Sequence, residues 1–228
     1  MSENSFTGRA HAYVEARPGY PPEAVEYIAD LASSDAVFAD IGAGTGKFSE
    51  LLARGGRALI AIELNADMRE QLEITLAPYA NAQIINGSAE ATTLAAGSVD
   101  VVISAQALNW FDIEAYKAEC KRIGRPGAIV VTLYNFRRNE ERGILRYTKS
   151  TGALYRNPIV REFPNPIDFT RERFLAYHSS MSGVPGPGEP GYDEYFGDVN
   201  GVFDRESAEG MLRLELITKV FYERIDSI

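Results

Sequence analysis

The chain has 228 residues, of which 45% are hydrophobic and 24% charged, and its formal net charge is −9 at pH 7. This composition is typical of one globular domain with a sizeable core, and the negative charge argues against a nucleic-acid partner, which would require a dense basic surface. The single cysteine excludes an internal disulfide, and we find neither a signal-peptide pattern nor an apolar run long enough to cross a membrane. We therefore expect a cytoplasmic protein.

The first predicted elements are two helices in residues 1–36, at about 7–16 and 22–32. Pro18, Pro21 and Pro22 separate them, because proline cannot continue a helix interior but suits a first helical turn. This segment precedes the first strand pattern, and we assign it as a separate N-terminal cap.

Residues 37–65 carry the most informative pattern in the chain. The short apolar runs Val37–Ile41 and Ala58–Ile62 predict two buried strands, separated by a glycine turn and a helix. Glycine accepts positive φ and lets a ligand approach the backbone, and the following helix presents free N–H groups to it. The second strand ends at Glu63, an acid placed to accept hydrogen bonds from a ribose. This is a nucleotide-binding βαβ unit.

The spacing of the glycines distinguishes between nucleotides. A dinucleotide fingerprint requires a third glycine at position 47, where this chain has Lys47. The pattern here is G-x-G-x-G preceded by Asp40, an acid that could orient a cationic ammonium group. An NAD-dependent oxidoreductase is therefore the less favoured alternative.

The remaining pattern predicts alternating strands and helices, followed by an irregular C-terminal part. A helix lies between residues 65 and 83, with Met68, Leu72, Ile74 and Leu76 as its apolar stripe and Pro78 at its end. The other predicted strands are 82–86, 99–104, 128–134, 162–170 and 211–222, and the other helices are about 113–123, 170–180 and 191–204. Pro164 and Pro166 confine the sixth strand to an edge or to irregular pairing.

Five sequence motifs in order resemble those of class I S-adenosylmethionine-dependent methyltransferases. They are the glycine loop 40–49, the acid Glu63, the loop 87–90, the strand 98–102 and the turn 125–128. The resemblance implies a Rossmann-like α/β fold: a seven-stranded, mostly parallel sheet with helices on both faces and an antiparallel last strand. We expect a cap at 1–36, a cofactor-binding core at 37–135, and a lid insertion with the last two strands at 136–228, in a single domain.

The resemblance also implies a set of residues that hold S-adenosylmethionine and, after reaction, S-adenosylhomocysteine. Met68 could instead simply fill the core, and Glu90 could be an acid at a helix start. The expected cofactor residues are Asp40, Gly42, Ala43, Gly44, Thr45, Glu63, Leu64, Met68, Ser88, Ala89, Glu90 and Ala105.

On the acceptor side, the pattern Tyr13, Arg17 and Tyr20 is similar to a lead-in of a subgroup that includes trans-aconitate methyltransferase-like enzymes. In that subgroup this segment closes over the active site; alternatively, the tyrosines only pack a capping helix and the arginine pairs with a surface acid. Where the subgroup commonly has histidine, this chain has Asn109, an amide that can orient but cannot accept a proton.

Further acceptor-side candidates come from the strand ends. Trp110 either contacts the acceptor or seals the domain edge, and Tyr134 ends a strand beside the expected crevice. Asn109 and Tyr134 are the catalytic candidates, and we find no metal-ligand pattern. The net-basic segment 137–161 is either a solvated helix face or a collector of an anionic acceptor.

These observations lead to one functional hypothesis and its rivals. We expect methyl transfer to a small molecule, at a carboxylate or hydroxyl oxygen, by in-line displacement that depends mainly on positioning, which can contribute roughly 7–11 kcal/mol. A carboxylate is already ionised at pH 7 and needs no base. The alternatives are a non-catalytic cofactor-binding protein of the same fold, an NAD-dependent oxidoreductase and a macromolecule methyltransferase. We expect a monomer or homodimer that binds neither nucleic acid nor membrane.

Overall fold

The computed structural model describes residues 17–137, 149–181 and 183–228. The strands are β1 (Val37–Ile41), β2 (Ala58–Ile62), β3 (Ala82–Ile85), β4 (Val99–Ala105), β5 (Gly124–Arg137), β6 (Ile159–Phe169) and β7 (Leu212–Arg224). The labelled helices are α1 (Pro22–Ala29), α2 (Lys47–Arg54), α3 (Ala66–Leu76), α4 (Ile113–Ile123), α5 (Arg171–Ser179) and α6 (Tyr192–Glu206), with a 3₁₀ turn at Leu108–Trp110 and helical residues at 149–154.

The strands form one mixed sheet in the order β3-β2-β1-β4-β5-β7-β6. Neighbours from β3 to β5 are parallel, whereas β7 runs antiparallel to both β5 and β6. The predicted fold, including the antiparallel last strand, is confirmed. The chain leaves β1 in one direction for β2 and β3 and returns to β4 on the other side of β1. This reversal of order makes the gap between the carboxyl ends of β1 and β4 the expected ligand crevice.

Both faces of the sheet are covered by helices, each with its own hydrophobic core. One face packs α1, α2 and α3 against side chains such as Phe38 and Ile103. The other packs α4 and Tyr155 against Val102 and Val130. Because successive residues of a strand point to opposite faces, the continuous apolar run of β4 feeds both cores.

A third, smaller core lies where β6 and β7 meet the helices α5 and α6. It is built around Phe169, Phe174 and Phe203. The side chain of Thr170 caps α5 by accepting a hydrogen bond from the N–H of Arg173, as the sequence predicted. This packing fixes α5 beside the carboxyl ends of the central strands.

Several element boundaries differ from the sequence prediction. The helix expected between 65 and 83 ends at Leu76, and Ile74, expected in its apolar stripe, is 64% exposed. Its buried side chains are Met68, Leu72 and Leu76, spaced by four residues, whereas residue 74 falls on the opposite face.

The last three strands are longer than predicted. β6 begins at Ile159 rather than 162, β7 ends at Arg224 rather than 222, and β5 extends to Arg137. Their antiparallel pairing with one another continues beyond the apolar runs, because backbone hydrogen bonds do not require apolar side chains. β6 lies at the edge of the sheet, where its two prolines are tolerated. The helix predicted at 7–16 lies outside the described residues.

Within the described residues, none of the helices combines the length and the apolar composition needed to cross a membrane.

Candidate functional site

The glycine loop after β1 turns sharply at the expected crevice. Gly42, Gly44 and Gly46 all have positive φ, at 70°, 58° and 87°, a region that side chains other than glycine rarely adopt. The N–H groups of Gly42 and Ala43 both donate to the carbonyl of Ile62 at the end of β2, at 2.9 and 3.0 Å. The loop is therefore fixed to the neighbouring strand.

The three glycines have different surroundings. A Cβ atom on Gly42 would lie 2.9 Å from Cβ of Ala107, and one on Gly46 would lie 2.7 Å from Cδ1 of Leu72. A Cβ on Gly44 would meet nothing within 4 Å. Gly42 and Gly46 are thus required by packing inside the protein. Gly44 leaves open space along its backbone, where a ligand can approach the main chain.

Glu63 holds this loop from the end of β2. Its Oε2 accepts a hydrogen bond from the N–H of Gly44 and its Oε1 accepts one from the N–H of Asn65, both at 2.8 Å. The residue is 9% exposed. Burial raises the pKa of the carboxyl, and these backbone donors oppose the rise by favouring the ionised form.

A Glu63→Gln variant is expected to bind the cofactor roughly tenfold more weakly, because hydrogen bonds to a charged group contribute about 1.5–3 kcal/mol and an amide cannot accept at both positions. Calorimetric titration with S-adenosylhomocysteine measures the loss. Glu50→Gln is the matched control, since Glu50 pairs with Arg54 on the partly exposed face of α2. Equal affinities for the Glu63 variant and the parent chain would contradict this role.

Asp40 lies behind the loop rather than on its open side. The side chain is fully buried, and its Oδ2 accepts a 2.6 Å hydrogen bond from the hydroxyl of Ser49 in α2. Its Oδ1 has no hydrogen-bond partner among the described residues. Burial raises the pKa of the carboxyl to about 7; the Ser49 hydroxyl opposes that rise, and the charge of Glu63 adds to it. A direct contact of Asp40 with an ammonium group stays a prediction.

A cavity opens in front of the loop, with a volume of about 670 Å³ including its opening to solvent. The glycine loop, the segment 17–20 and Tyr177 of α5 all contribute to its lining. The lining residues are Arg17, Pro18, Tyr20, Gly42, Ala43, Gly44, Thr45, Lys47, Phe48, Ala105, Gln106, Asn135 and Tyr177.

The segment 17–20 is attached across this cavity by hydrogen bonds from three directions. The Lys47 ammonium donates to the carbonyl of Arg17, and the Arg17 guanidinium donates to the carbonyl of Ser180 at 2.7 Å. The side-chain amides of Asn135 and Asn165 both donate to the carbonyl of Gly19, at 2.9 and 3.0 Å. Arg17, Pro18 and Tyr20 therefore line the cavity; that the whole segment 1–36 forms a cap over the site stays a prediction.

Seven of the residues predicted from the sequence line the cavity. Their positions cluster at the ends of β1 and β4 and in the N-terminal segment. They are Arg17, Tyr20, Gly42, Ala43, Gly44, Thr45 and Ala105. Tyr13 lies outside the described residues.

The other cofactor candidates lie around the ends of β2 and β3. Met68 is buried and Leu64 is 43% exposed. Ser88 accepts a hydrogen bond from the N–H of Ala91 in its own turn, and Ala89 is buried. The carboxylate of Glu90 accepts a hydrogen bond from the N–H of Asp112 at 3.0 Å. Glu90 lies in a turn between β3 and β4, and no helix begins there, so the helix-start alternative is wrong. The adenine contact remains a prediction.

The catalytic candidates do not line this cavity. Tyr134 is fully buried in the core on the α4 side of the sheet, because neighbouring residues of β5 point to opposite faces; its neighbour Asn135 faces the cavity instead. Asn109 and Trp110 lie in the 3₁₀ turn after β4, both partly buried. Of the basic segment, 138–148 lies outside the described residues, and Arg137 pairs with Glu206 at 3.2 Å.

Four polar or aromatic lining residues were not among the predicted site residues: Lys47, Gln106, Asn135 and Tyr177. The sequence does indicate Asn135 as a site residue, since it directly follows the carboxyl end of a predicted strand. Lys47 was noticed only as a missing glycine. Tyr177 gave no local signal, because α5 meets the cavity only through tertiary packing.

The residues described above define a class I Rossmann-like α/β domain with a cavity at its topological switch point. Residues 39–132 match the methyltransferase domain family. An uncharacterized methyltransferase of Mycobacterium tuberculosis is 34% identical over 166 residues, which cover 73% of this chain and 66% of that protein. Residues 39–132 therefore belong to the methyltransferase domain family, and the fold and the relatives support a class I S-adenosylmethionine-dependent methyltransferase.

Two further comparisons agree with this assignment. A methyltransferase-like protein of Schizosaccharomyces pombe, itself uncharacterized, is 31% identical over 143 residues, or 61% of this chain and 55% of that protein. The structure of a candidate type II methyltransferase from Anaeromyxobacter dehalogenans has a TM-score of 0.68 at 22% identity, covering 92% of this chain and 98% of that one. At 22% identity this structural similarity shows only that the two proteins share a fold. The matched part of this chain spans 66% or less of the length of these curated relatives.

The residues present fit the cofactor type of this family. Gly44 has positive φ and leaves open space along its backbone that a side chain would enter, so a nucleoside can approach the main chain there. Glu63 stands at the end of β2, where a ribose-binding acid is placed in this fold. The family therefore implies cofactor use of the S-adenosylmethionine type.

Proposed function

We propose that this protein is a cytoplasmic S-adenosylmethionine-dependent methyltransferase that acts on an oxygen atom of a small molecule. The observation that carries the proposal is the cavity at the switch point, bounded on one side by the glycine loop that Glu63 holds in place. The loop, Glu63 and Ala105 would hold the cofactor. When bound, S-adenosylmethionine supplies an electrophilic methyl group carried on a sulfonium.

The residues around the cavity favour catalysis by positioning. Its described lining contains neither histidine nor a carboxylate, the usual general bases. Asn135 is held rigidly, because its Oδ1 accepts hydrogen bonds from Thr218 and Asn165 at 2.6 and 3.2 Å. Rigid side chains and a segment closed across the cavity limit the orientations open to a bound acceptor and exclude water. An acceptor that is already ionised needs no proton removed, which supports a carboxylate oxygen over a phenol.

Calorimetry with purified protein tests the cofactor part of this proposal. We expect saturable binding of S-adenosylmethionine and S-adenosylhomocysteine, with dissociation constants in the micromolar range, equivalent to about −8 kcal/mol. We expect no comparable heat with NAD or NADP, because the position of the third fingerprint glycine is occupied by Lys47. Tight binding of a nicotinamide dinucleotide without binding of either sulfur nucleoside would reject the proposal.

Turnover separates an enzyme from a binding protein of the same fold. Label from methyl-labelled S-adenosylmethionine should appear in a small-molecule product when the protein is incubated with a metabolite extract. Saturable cofactor binding with no transfer to any fraction would favour the non-catalytic alternative. Transfer only to RNA or protein added to the assay would contradict the assignment of a small acceptor.

A further inference from the structure

Arg69 joins the carboxyl ends of two neighbouring strands. It lies in the first turn of α3, and its Nη1 group donates hydrogen bonds to the carbonyls of Glu63 and Leu64, at 3.1 and 3.0 Å. The same group donates to Oδ1 of Asn86 at 3.2 Å. Glu63 directly follows β2 and Asn86 directly follows β3, and these two strands pair in parallel. One guanidinium therefore fixes the turn after β2 against the end of β3.

The turn after β2 holds Glu63 by hydrogen bonds at each of its polar groups. Its N–H donates to the carbonyl of Ile85 at 3.1 Å, and its two carboxylate oxygens accept from the N–H groups of Gly44 and Asn65. Its carbonyl accepts from Arg69, the side-chain partner in this set. Since a carboxylate can accept about four hydrogen bonds, the two bonds from backbone N–H groups leave capacity for the hydroxyls of a ribose.

The charge of Arg69 also acts on the carboxylate of Glu63. Burial raises the pKa of this carboxyl, and the N–H groups of Asn65 and Gly44, followed by the positive charge of Arg69, oppose the rise. Burial likewise raises the pKa of Asp40 on β1, and the charge of Glu63 adds to that rise, so the two carboxyls interact. Ionised glutamate only accepts hydrogen bonds, which is the form that two ribose hydroxyls require. Arg69 therefore favours the form of Glu63 that can bind a ribose.

The contacts of Arg69 differ from those of an ordinary surface residue on a helix. Glu73 follows it by four residues in α3, a spacing that suits an ion pair on a helix face. Among the described residues, however, the partly buried Arg69 side chain bonds to two backbone carbonyls and the amide oxygen of Asn86. The guanidinium is thus directed to the ends of β2 and β3 rather than along its own helix.

We propose that Arg69 is a positioning residue for the cofactor: it orients the Glu63 carboxylate that binds the ribose, by fixing the turn after β2 against the end of β3. This inference rests on the proposed function, because it requires a nucleoside at Glu63. Arg69 itself does not touch the cofactor and acts through Glu63. Its removal should therefore weaken nucleoside binding only where Glu63 is present to be oriented.

Calorimetric titration with S-adenosylhomocysteine gives the first test. Arg69→Met keeps an unbranched side chain but loses the charge and the donors, so its affinity should fall roughly tenfold. Arg69→Lys keeps the charge and should restore most of that loss. Arg54→Met is the matched control, because Arg54 pairs with Glu50 on α2, and its affinity should equal that of the parent chain. An unchanged affinity in Arg69→Met would overturn the proposal.

A double-mutant cycle tests whether Arg69 acts through Glu63. Residues that act as one unit have effects that do not add. In a Glu63→Gln background, Arg69→Met should weaken binding by less than about threefold, compared with roughly tenfold in the parent chain. An arginine that merely supports the fold would weaken binding equally in both backgrounds. Equal losses, which give the double variant about a hundredfold lower affinity than the parent chain, would overturn the proposal.

Asn86→Ala tests the link to β3 with a milder change. Asn86 is exposed, and the substitution removes one acceptor while it leaves the charge of Arg69 in place. Affinity for S-adenosylhomocysteine should fall about threefold, as expected for one hydrogen bond, and an unchanged affinity would contradict the link. Urea unfolding reports whether each variant is folded. If Arg69→Met is not, Asn86→Ala and Arg69→Lys in the parent and Glu63→Gln backgrounds carry the same test.

A nicotinamide dinucleotide is the competing ligand for this arginine. In dinucleotide-binding folds an arginine near the acid of the second strand can accommodate the 2′-phosphate of NADP. NADP binding that Arg69→Met abolishes, with an unchanged affinity for S-adenosylhomocysteine, would make Arg69 a phosphate ligand and overturn the proposal. Binding of S-adenosylhomocysteine that is equal in the parent chain and the Arg69 variants rejects this inference alone. A parent chain that does not bind S-adenosylhomocysteine rejects the proposed function itself.

Discussion

An Asp40→Asn variant is expected to be more stable than the parent chain above pH 7 and about equally stable near pH 4. In the folded protein, burial raises the pKa of Asp40 from 3.8 to about 7, and the nearby charge of Glu63 adds to this effect. Between these two values the folded chain keeps a proton that the unfolded chain releases. The free energy of unfolding of the parent therefore falls as the pH rises through this range.

The size of the stability difference depends on the interval between the unfolded and folded pKa values of Asp40. One pKa unit corresponds to about 1.4 kcal/mol, so the contribution of Asp40 approaches roughly 4 kcal/mol at pH 8 as an upper limit. Asparagine cannot ionise, and its carbonyl can still accept the hydrogen bond from Ser49. Urea unfolding of cofactor-free protein at pH 4, 6 and 8 measures the difference between the two stability curves.

Ser49→Ala is the matched control for this prediction. The Ser49 hydroxyl is the donor that opposes the rise in the pKa of Asp40, so its removal should raise that pKa further. The free energy of unfolding should then keep falling to a higher pH, with the same limiting slope of one proton. Parallel stability curves for the parent chain and Asp40→Asn would mean that this carboxyl does not titrate in the predicted range.

A Gly46→Ala variant is expected to lose roughly 2–5 kcal/mol of stability, the sum of a left-handed backbone cost of about 1–2 kcal/mol and an overpacking cost of about 1–3 kcal/mol. Gly46 precedes α2 with a φ of 87°, and an added Cβ would lie 2.7 Å from the fully buried Leu72. Neither the turn nor the packing between α2 and α3 can accommodate it without movement.

Gly44→Ala separates the two costs. Gly44 also has positive φ, at 58°, but a Cβ there meets nothing within 4 Å, so only the backbone cost of about 1–2 kcal/mol applies. Denaturant unfolding should rank the variants in the order parent, Gly44→Ala and Gly46→Ala. Calorimetric titration with S-adenosylhomocysteine should rank the variants differently. Gly44→Ala should weaken cofactor binding more than Gly46→Ala does, although it destabilises the fold less. Equal stability losses for the two variants would contradict the packing argument.

Much of the fold was predictable because its determinants are local. Short apolar runs bounded by glycine gave the central strands, and Thr170 and Pro22 marked the starts of helices as observed. The wrong predictions lie where residues distant in the sequence determine the burial of a side chain or the length of a strand. Ile74 is apolar yet exposed, and the last strands extend past their apolar runs because their antiparallel neighbours continue the hydrogen bonding.

The residues of the candidate site likewise divide into those that local sequence predicts and those that tertiary structure places. Gly42, Gly44 and Glu63 follow one another within a single βαβ unit, so their spacing alone predicted a nucleotide loop, and the structure joins Glu63 to Gly44 by a direct hydrogen bond. Tyr134 was predicted as a catalytic candidate because it ends a strand beside the expected crevice, but the pleat of β5 turns the tyrosine into the core and the amide of Asn135 toward the cavity. Neighbouring residues of a strand point to opposite faces of the sheet, so a shift of one residue exchanges a buried side chain for one that lines the cavity.

The sequence by itself predicted the family, the order of the elements and the glycine loop with Glu63, because a glycine turn between two strands specifies its backbone through neighbouring residues. Only the tertiary structure decided which other residues line the cavity. Lys47, Arg17, Gln106 and Tyr177 are brought to one cavity from separate parts of the chain, and their meeting depends on how α5 packs on the extended strands and how the segment 17–20 crosses the sheet. Long-range packing of this kind leaves no periodic or spacing signal in any one stretch of residues.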